Sequence, residues 1–127
     1  MASEPIRRMV EIMKPAIKEY ATKDKPIIIS TEGDKRITGK NKLYEHLSDT
    51  FNDQVENLIS DENLTFTDYA SQFIYAKVAI SFSSEMMSLI PFMEPGSLFI
   101  EIQDSRIISR NVLLAQSFGL DVHVFPT

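Results

Sequence analysis

The chain has 127 residues, 43% hydrophobic and 24% charged, with a formal net charge of −5. Such a chain can bury roughly two thirds of its unfolded surface in one domain, and its composition excludes disordered and fibrous classes. The acidic balance argues against nonspecific nucleic-acid binding, and the absence of cysteine excludes a disulfide framework, a thiolate metal site and a thiol nucleophile, so a cytoplasmic setting fits best.

Ile6, Met9, Val10, Met13, Ile17 and Tyr20 recur at helical spacing, so residues 1–24 read as an amphipathic helix packing on the rest, with Pro15 expected to kink or interrupt it. This segment lacks the apolar core of a signal peptide, and no later run is long enough to span a bilayer. Pro26-Ile27-Ile28-Ile29-Ser30 reads as a buried strand, followed by the loop Thr31-Glu32-Gly33-Asp34. A helix from Thr38 carries the stripe Leu43, Leu47 and Phe51. Residues 54–59 form a weaker strand. Thr65 and Asp68 mark the start of the next helix, whose Phe66, Ala70, Phe73 and Ile74 face one way.

Lys77-Val78-Ala79-Ile80-Ser81-Phe82 is the clearest strand, with Ser83 as N-cap candidate for a short helix over 86–93. A strand over 97–102, a helix over 106–118 stopped by Gly119, and a last strand over 120–125 complete the order. Strands alternating with helices, in apolar rather than alternating runs, predict an α/β fold: a Rossmann-like parallel sheet of about five strands with helices on both faces, spanning 25–127 as a single domain.

In such a sheet, ligands bind at the carboxyl ends of the strands. That rule selects residues 31–36, 81–85 and those after Glu101. Ser83 and Ser84 offer hydroxyl and backbone donors to a phosphate, with positive charge from Lys35 or Arg36, although serines at helix starts are ordinarily caps. Lys35 and Arg36, with Lys40 and Lys42, form the only basic cluster after the first helix. Glu101 lies inside an apolar strand, where a buried charge needs a partner; an edge position would explain it equally well. Glu85 is the one candidate general base, but the helix dipole alone accounts for it. His46 and His123 lack metal-ligand spacing, so no metal is expected. The four glycines are too dispersed for a dinucleotide fingerprint, and no Walker loop is present, so no cofactor is expected. Met13, Met86, Met87 and Met93 read as packing.

The run Ala76-Lys77-Val78-Ala79-Ile80-Ser81, then Ser83-Ser84-Glu85, then Phe92-Met93-Glu94-Pro95-Gly96-Ser97 and a strand reaching Glu101 resembles the nucleotide-sugar-binding lobe of glycosyltransferase family 61. That family pattern has a strand, His-Gly-Ala, a helix, Phe-Met-x-Pro-Gly-Ser and a strand ending in Glu. The upstream strand, basic loop and helix are similar too, so the resemblance covers residues 25–127. It implies a nucleotide sugar held by Lys35, Arg36, Ser83, Ser84 and Glu101. The chain departs from the pattern at Ser83-Ser84-Glu85 in place of His-Gly-Ala, at Thr31 in place of arginine and at Gly39 in place of asparagine; 127 residues also leave no room for the family's acceptor lobe.

Two functions follow as expectations. The preferred one is a degenerate glycosyltransferase-like domain acting as an interaction or assembly module without catalysis, meeting a protein partner or a second copy through the N-terminal helix. The alternative is a nucleotide-sugar-binding domain taking part in glycosyl transfer, with Arg36 and Ser83-Ser84 on the diphosphate and Glu101 near the ribose or sugar. A small hydrolase or reductase has no visible triad, metal set or cofactor fingerprint.

Overall fold

The computed structural model describes residues 4–19, 25–104 and 109–126. Its elements in chain order are α1 (Glu4–Lys18), β1 (Ile27–Ser30), α2 (Lys40–Thr50), β2 (Val55–Asn57), α3 (Phe66–Ile74), β3 (Val78–Ser81), a 3-10 helix (Glu85–Phe92), β4 (Leu98–Gln103), α4 (Arg110–Ser117) and β5 (Asp121–Pro126). The five strands form one parallel sheet in the order β2-β1-β3-β4-β5. This is the α/β, Rossmann-like architecture expected from the sequence.

The short strands β1 and β3 are apolar and end in a buried serine, Ser30 and Ser81. β-Branched residues fit a sheet covered on both faces. α3 starts on a capping box, with the Thr65 side chain accepting from the Asp68 N–H while the Asp68 carboxylate accepts from the Thr65 N–H. Its Ala70, Phe73 and Ile74 are buried, while Phe66 stays half-exposed with its ring edge-on to Phe92.

Crossovers between parallel strands are right-handed, so the direction of travel across the sheet decides which face each helix covers. From β1 the chain moves outward to β2, and from β2 it returns past β1 and continues in the opposite direction through β3, β4 and β5. Accordingly α2 covers one face, where Leu43, Tyr44 and Leu47 pack with Ile29, Val55, Ile80 and Phe82. α3, the 3-10 helix and α4 cover the other, and α1 adds Val10 and Ile17 to the same core. Met87 and Met93 lie fully inside that core, with Met13 and Met86 packed against it, in keeping with a packing role. Beyond β3 the α2 face carries no helix among the described residues. Ile100 and Ile102 there are only partly buried, and Phe125 on the edge strand is 52% exposed.

Three local expectations are corrected. α1 runs through Pro15 without interruption. The proline removes a hydrogen bond only in the last turn, which buried Ile17 and the Lys18–Glu94 ion pair at 3.1 Å hold in place. Phe51 does not join the α2 stripe; it is the C-cap and is exposed. α4 begins later than residue 106: Ser109 has extended backbone and caps the helix by accepting from the Val112 N–H, while residues 105–108 lie outside the described set. Among the described residues no helix is long and apolar enough to cross a membrane.

Candidate functional site

In the strand order found here, the chain's direction reverses at β1, so the crevice between the carboxyl ends of β1 and β3 is where the topology opens a binding site. A cleft of about 690 Å³ lies at that point, lined by the loop after β1, Ser60 after β2, and the turn from Ser83 to Met86 after β3.

Its floor is built from small polar residues. Glu101 on β4 is fully buried, as are Ser30 and Ser81 at the ends of β1 and β3. A carboxylate in that position requires donors, and three reach it. The Ser81 hydroxyl donates to Oε1 at 2.7 Å, the Ser83 N–H donates to the same oxygen at 2.8 Å, and the Ser109 hydroxyl donates to Oε2 at 2.6 Å. The Ser83 contact explains an unusual backbone. Ser83 has φ +61°, a left-handed conformation that costs a non-glycine residue about 1–2 kcal/mol; its N–H is engaged by the carboxylate.

The following residue, Ser84, is therefore the N-cap of the 3-10 helix, one position later than the sequence suggests, and its hydroxyl accepts from the Met86 N–H. The same hydroxyl donates to Ser30 at 3.1 Å, the Ser84 N–H donates to Ser81 at 3.1 Å, and the Asn111 amide donates to the Ser84 carbonyl at 2.9 Å. One network thus joins β1, β3, β4 and the start of α4.

The walls are acidic. The loop after β1 lies across the end of β3: the Asp34 N–H donates to the Phe82 carbonyl at 2.8 Å, and a Cβ on Gly33 would sit 2.3 Å from that same oxygen. Only glycine allows this approach. Glu32 accepts from the Ser60 N–H at 2.9 Å and from its hydroxyl at 2.7 Å, tying the β1 and β2 loops together. Asp34 holds Arg36 in a two-pronged pair, Nε to Oδ1 at 3.0 Å and Nη2 to Oδ2 at 2.7 Å, and Asp104 stands 3.5 Å from Arg36 Nε. The Arg36 side-chain hydrogen bonds, and next its backbone N–H, lower the Asp34 pKa from 3.8 to about 2. The hydrogen bonds to Asp34 likewise raise that of Arg36.

Of the residues singled out in the sequence, Arg36, Ser83, Ser84 and Glu85 line the cleft together. Glu101 lies beneath it, enclosed by the serine donors, and is the buried rather than the edge case. Lys35 is exposed away from the lining, and Lys40 donates to the Asp34 carbonyl at 2.8 Å. The sequence places Glu32 and Asp34 in the selected loop 31–36 and Ser109 after Glu101 without singling them out, and it does not point to Ser60. Two of these carried a readable signal: Asp34 stands two residues before Arg36, as in an Asx turn, and Ser109 stands three before Val112, as in a cap. The described residues contain no cluster of His, Cys, Asp or Glu suited to a metal ion.

No family model matches the chain, and no curated protein is significantly similar to it.

Two outcomes are expected from this geometry. Glu101→Ala leaves the buried Ser81 hydroxyl and the half-buried Ser83 and Ser109 donors without an acceptor and should lower unfolding stability by about 2–4 kcal/mol, whereas Glu101→Gln, which keeps the shape and one oxygen, should lose less than half as much; urea unfolding of both variants checks this. Because the folded pKa of Asp34 is depressed, its contribution to stability is present above 3.8 and is lost as pH falls toward about 2. Solvent screens this exposed pair. The difference in urea midpoint between the native chain and Asp34→Asn should accordingly shrink across that window and stay level from there to neutral pH.

Proposed function

We propose that this chain is a Rossmann-like interaction module on a glycosyltransferase-like scaffold and that it does not carry out glycosyl transfer. The observation that carries this reading is the state of Arg36. The cleft's arginine is already paired with Asp34 and faced by Asp104, while Glu32, Asp34 and Glu85 line the same space. A diphosphate entering there must break a bidentate arginine–carboxylate pair and sit among like charges. The Ser83 and Ser84 N–H groups, the natural phosphate donors at this turn, are spent on Glu101 and Ser81. Apolar surface suited to a protein partner lies elsewhere, on the outer side of α1 and on the sheet half that no helix covers among the described residues.

The alternative, a nucleotide-sugar-binding domain taking part in glycosyl transfer, draws its support from the meeting of Arg36, Ser83 and Ser84 in one cleft at the switch point. Thermal unfolding against a panel of nucleotide sugars and free nucleotides separates the two. A ligand at one hundred times its dissociation constant adds about 2.7 kcal/mol of stability, a shift of several degrees for a domain of this size. The interaction-module reading expects a flat response at millimolar ligand. A selective shift with one nucleotide, abolished by Arg36→Ala, overturns it in favour of the alternative.

A further inference from the structure

We infer that the small cavity beneath α1 is a binding site for an organic monocarboxylate with an apolar body the size of a single ring, held by Arg7 and Lys14. The site shares no lining residue with the cleft between β1 and β3, so it stands whether or not that cleft takes a nucleotide.

The helical spacing of Arg7, Val10, Glu11 and Lys14 puts them on one side of α1. Val10 is buried in the main core and turns that side toward the domain. Facing it are Met93 and Pro95, which precede β4, and Phe118, which caps the end of α4 before β5. Between them lies a cavity of about 220 Å³ at the amino ends of β4 and β5, the end of the sheet opposite the cleft. Its apolar walls come from Val10, Met93, Pro95 and Phe118, and its charges from Arg7, Lys14 and Glu11.

Both cations have donors left over. The Arg7 guanidinium lies 4.9 Å from the centre of the Phe118 ring and donates to the Ser117 carbonyl, and Lys14 donates to the Met93 carbonyl at 3.2 Å. Among the described residues these are their only hydrogen bonds, and each side chain carries several donors. Neither has a carboxylate within ion-pair distance there, whereas Lys18 and Arg36 are paired with Glu94 and Asp34. Burial pushes the Lys14 amine below the usual lysine range, and an incoming anion would supply the compensation its charged form lacks.

Charge and size then select the ligand. Two cations against the Glu11 carboxylate leave a lining charge of +1, which a monoanion neutralises and a dianion overshoots. The planar fork of an arginine matches a carboxylate through parallel hydrogen bonds. A cavity of about 150 Å³ is enough to hold benzene, so 220 Å³ takes a six-membered ring bearing a carboxylate.

NMR titration of the full chain with phenylacetate, followed at the Met93 methyl and the Phe118 ring, tests the site. The expected result is a shift at both residues with a dissociation constant of roughly 0.1–10 mM, as suits so small a ligand. Phenylacetamide, which keeps the shape without the charge, and acetate, which keeps the charge without the ring, should each bind at least about tenfold more weakly. Lys14→Gln should weaken phenylacetate about tenfold, and Glu11→Gln, which removes a like charge, should tighten it about two- to threefold. Glu11 is exposed, so thermal unfolding of that variant should be unchanged, which separates an effect on the site from an effect on folding. No shift at either residue overturns the inference, as does equal binding of phenylacetamide or a shift indifferent to both substitutions. Tighter binding of phenylphosphonate would make the ligand a dianion and overturn it too. A peptide ending in phenylalanine that binds more tightly than phenylacetate overturns the free acid as the source of the carboxylate.

Discussion

The carboxylate of Glu101 is the constraint on which the working end of this sheet depends. It is fully enclosed on the central side of β4, where an ionic group without donors destabilises a fold by several kcal/mol. The donors that satisfy it come from three places: the end of β3, the turn after it and the residue that opens α4. Ser83 takes a left-handed backbone with its N–H engaged there, the 3-10 helix then starts at Ser84, and Ser84 reaches Ser30 at the end of β1. A single buried side chain thus sets the floor of the cleft and the register of two helix starts.

The same arrangement limits what the cleft can do. In open parallel sheets the switch point attracts anions because helix-start N–H groups and nearby cations are unspent. Here two such N–H groups face inward to Glu101 and Ser81, and the cleft arginine faces a carboxylate of its own loop. The β1 loop is held close over β3 by Gly33 and the Asp34–Phe82 contact, and Glu32 closes it against Ser60. The result is a pre-formed polar cleft with acidic walls. Apolar surface lies elsewhere, on α1 and on the sheet half that carries no helix among the described residues.

Much of the architecture is legible in the sequence because it rests on short-range patterns. The isoleucine run of β1, the Val78–Ser81 run of β3 and the Thr65–Asp68 capping box each declare their element within a few residues. Alternation of strands and helices is enough to predict a parallel sheet, and the ligand-end rule is enough to bring Arg36, Ser83, Ser84 and Glu85 together. What the sequence hides depends on distant partners. The burial of Glu101 follows from hydroxyls up to twenty residues away, and the one-residue shift of the cap from Ser83 to Ser84 follows from that burial. Glu32 meets Ser60 from 28 residues away, and the helical turn that holds Pro15 is anchored to Glu94 and to the core.

Amide hydrogen exchange at Ser83 and Ser84, followed by NMR in the free protein, is the most direct test of this account. Both amides stand in a turn, where exchange is ordinarily fast, yet the Glu101 network predicts protection close to that of the β3 core. Rapid exchange at both, at the rate of an open loop, would show that these N–H groups are unspent and would contradict the claim that the switch point is internally satisfied.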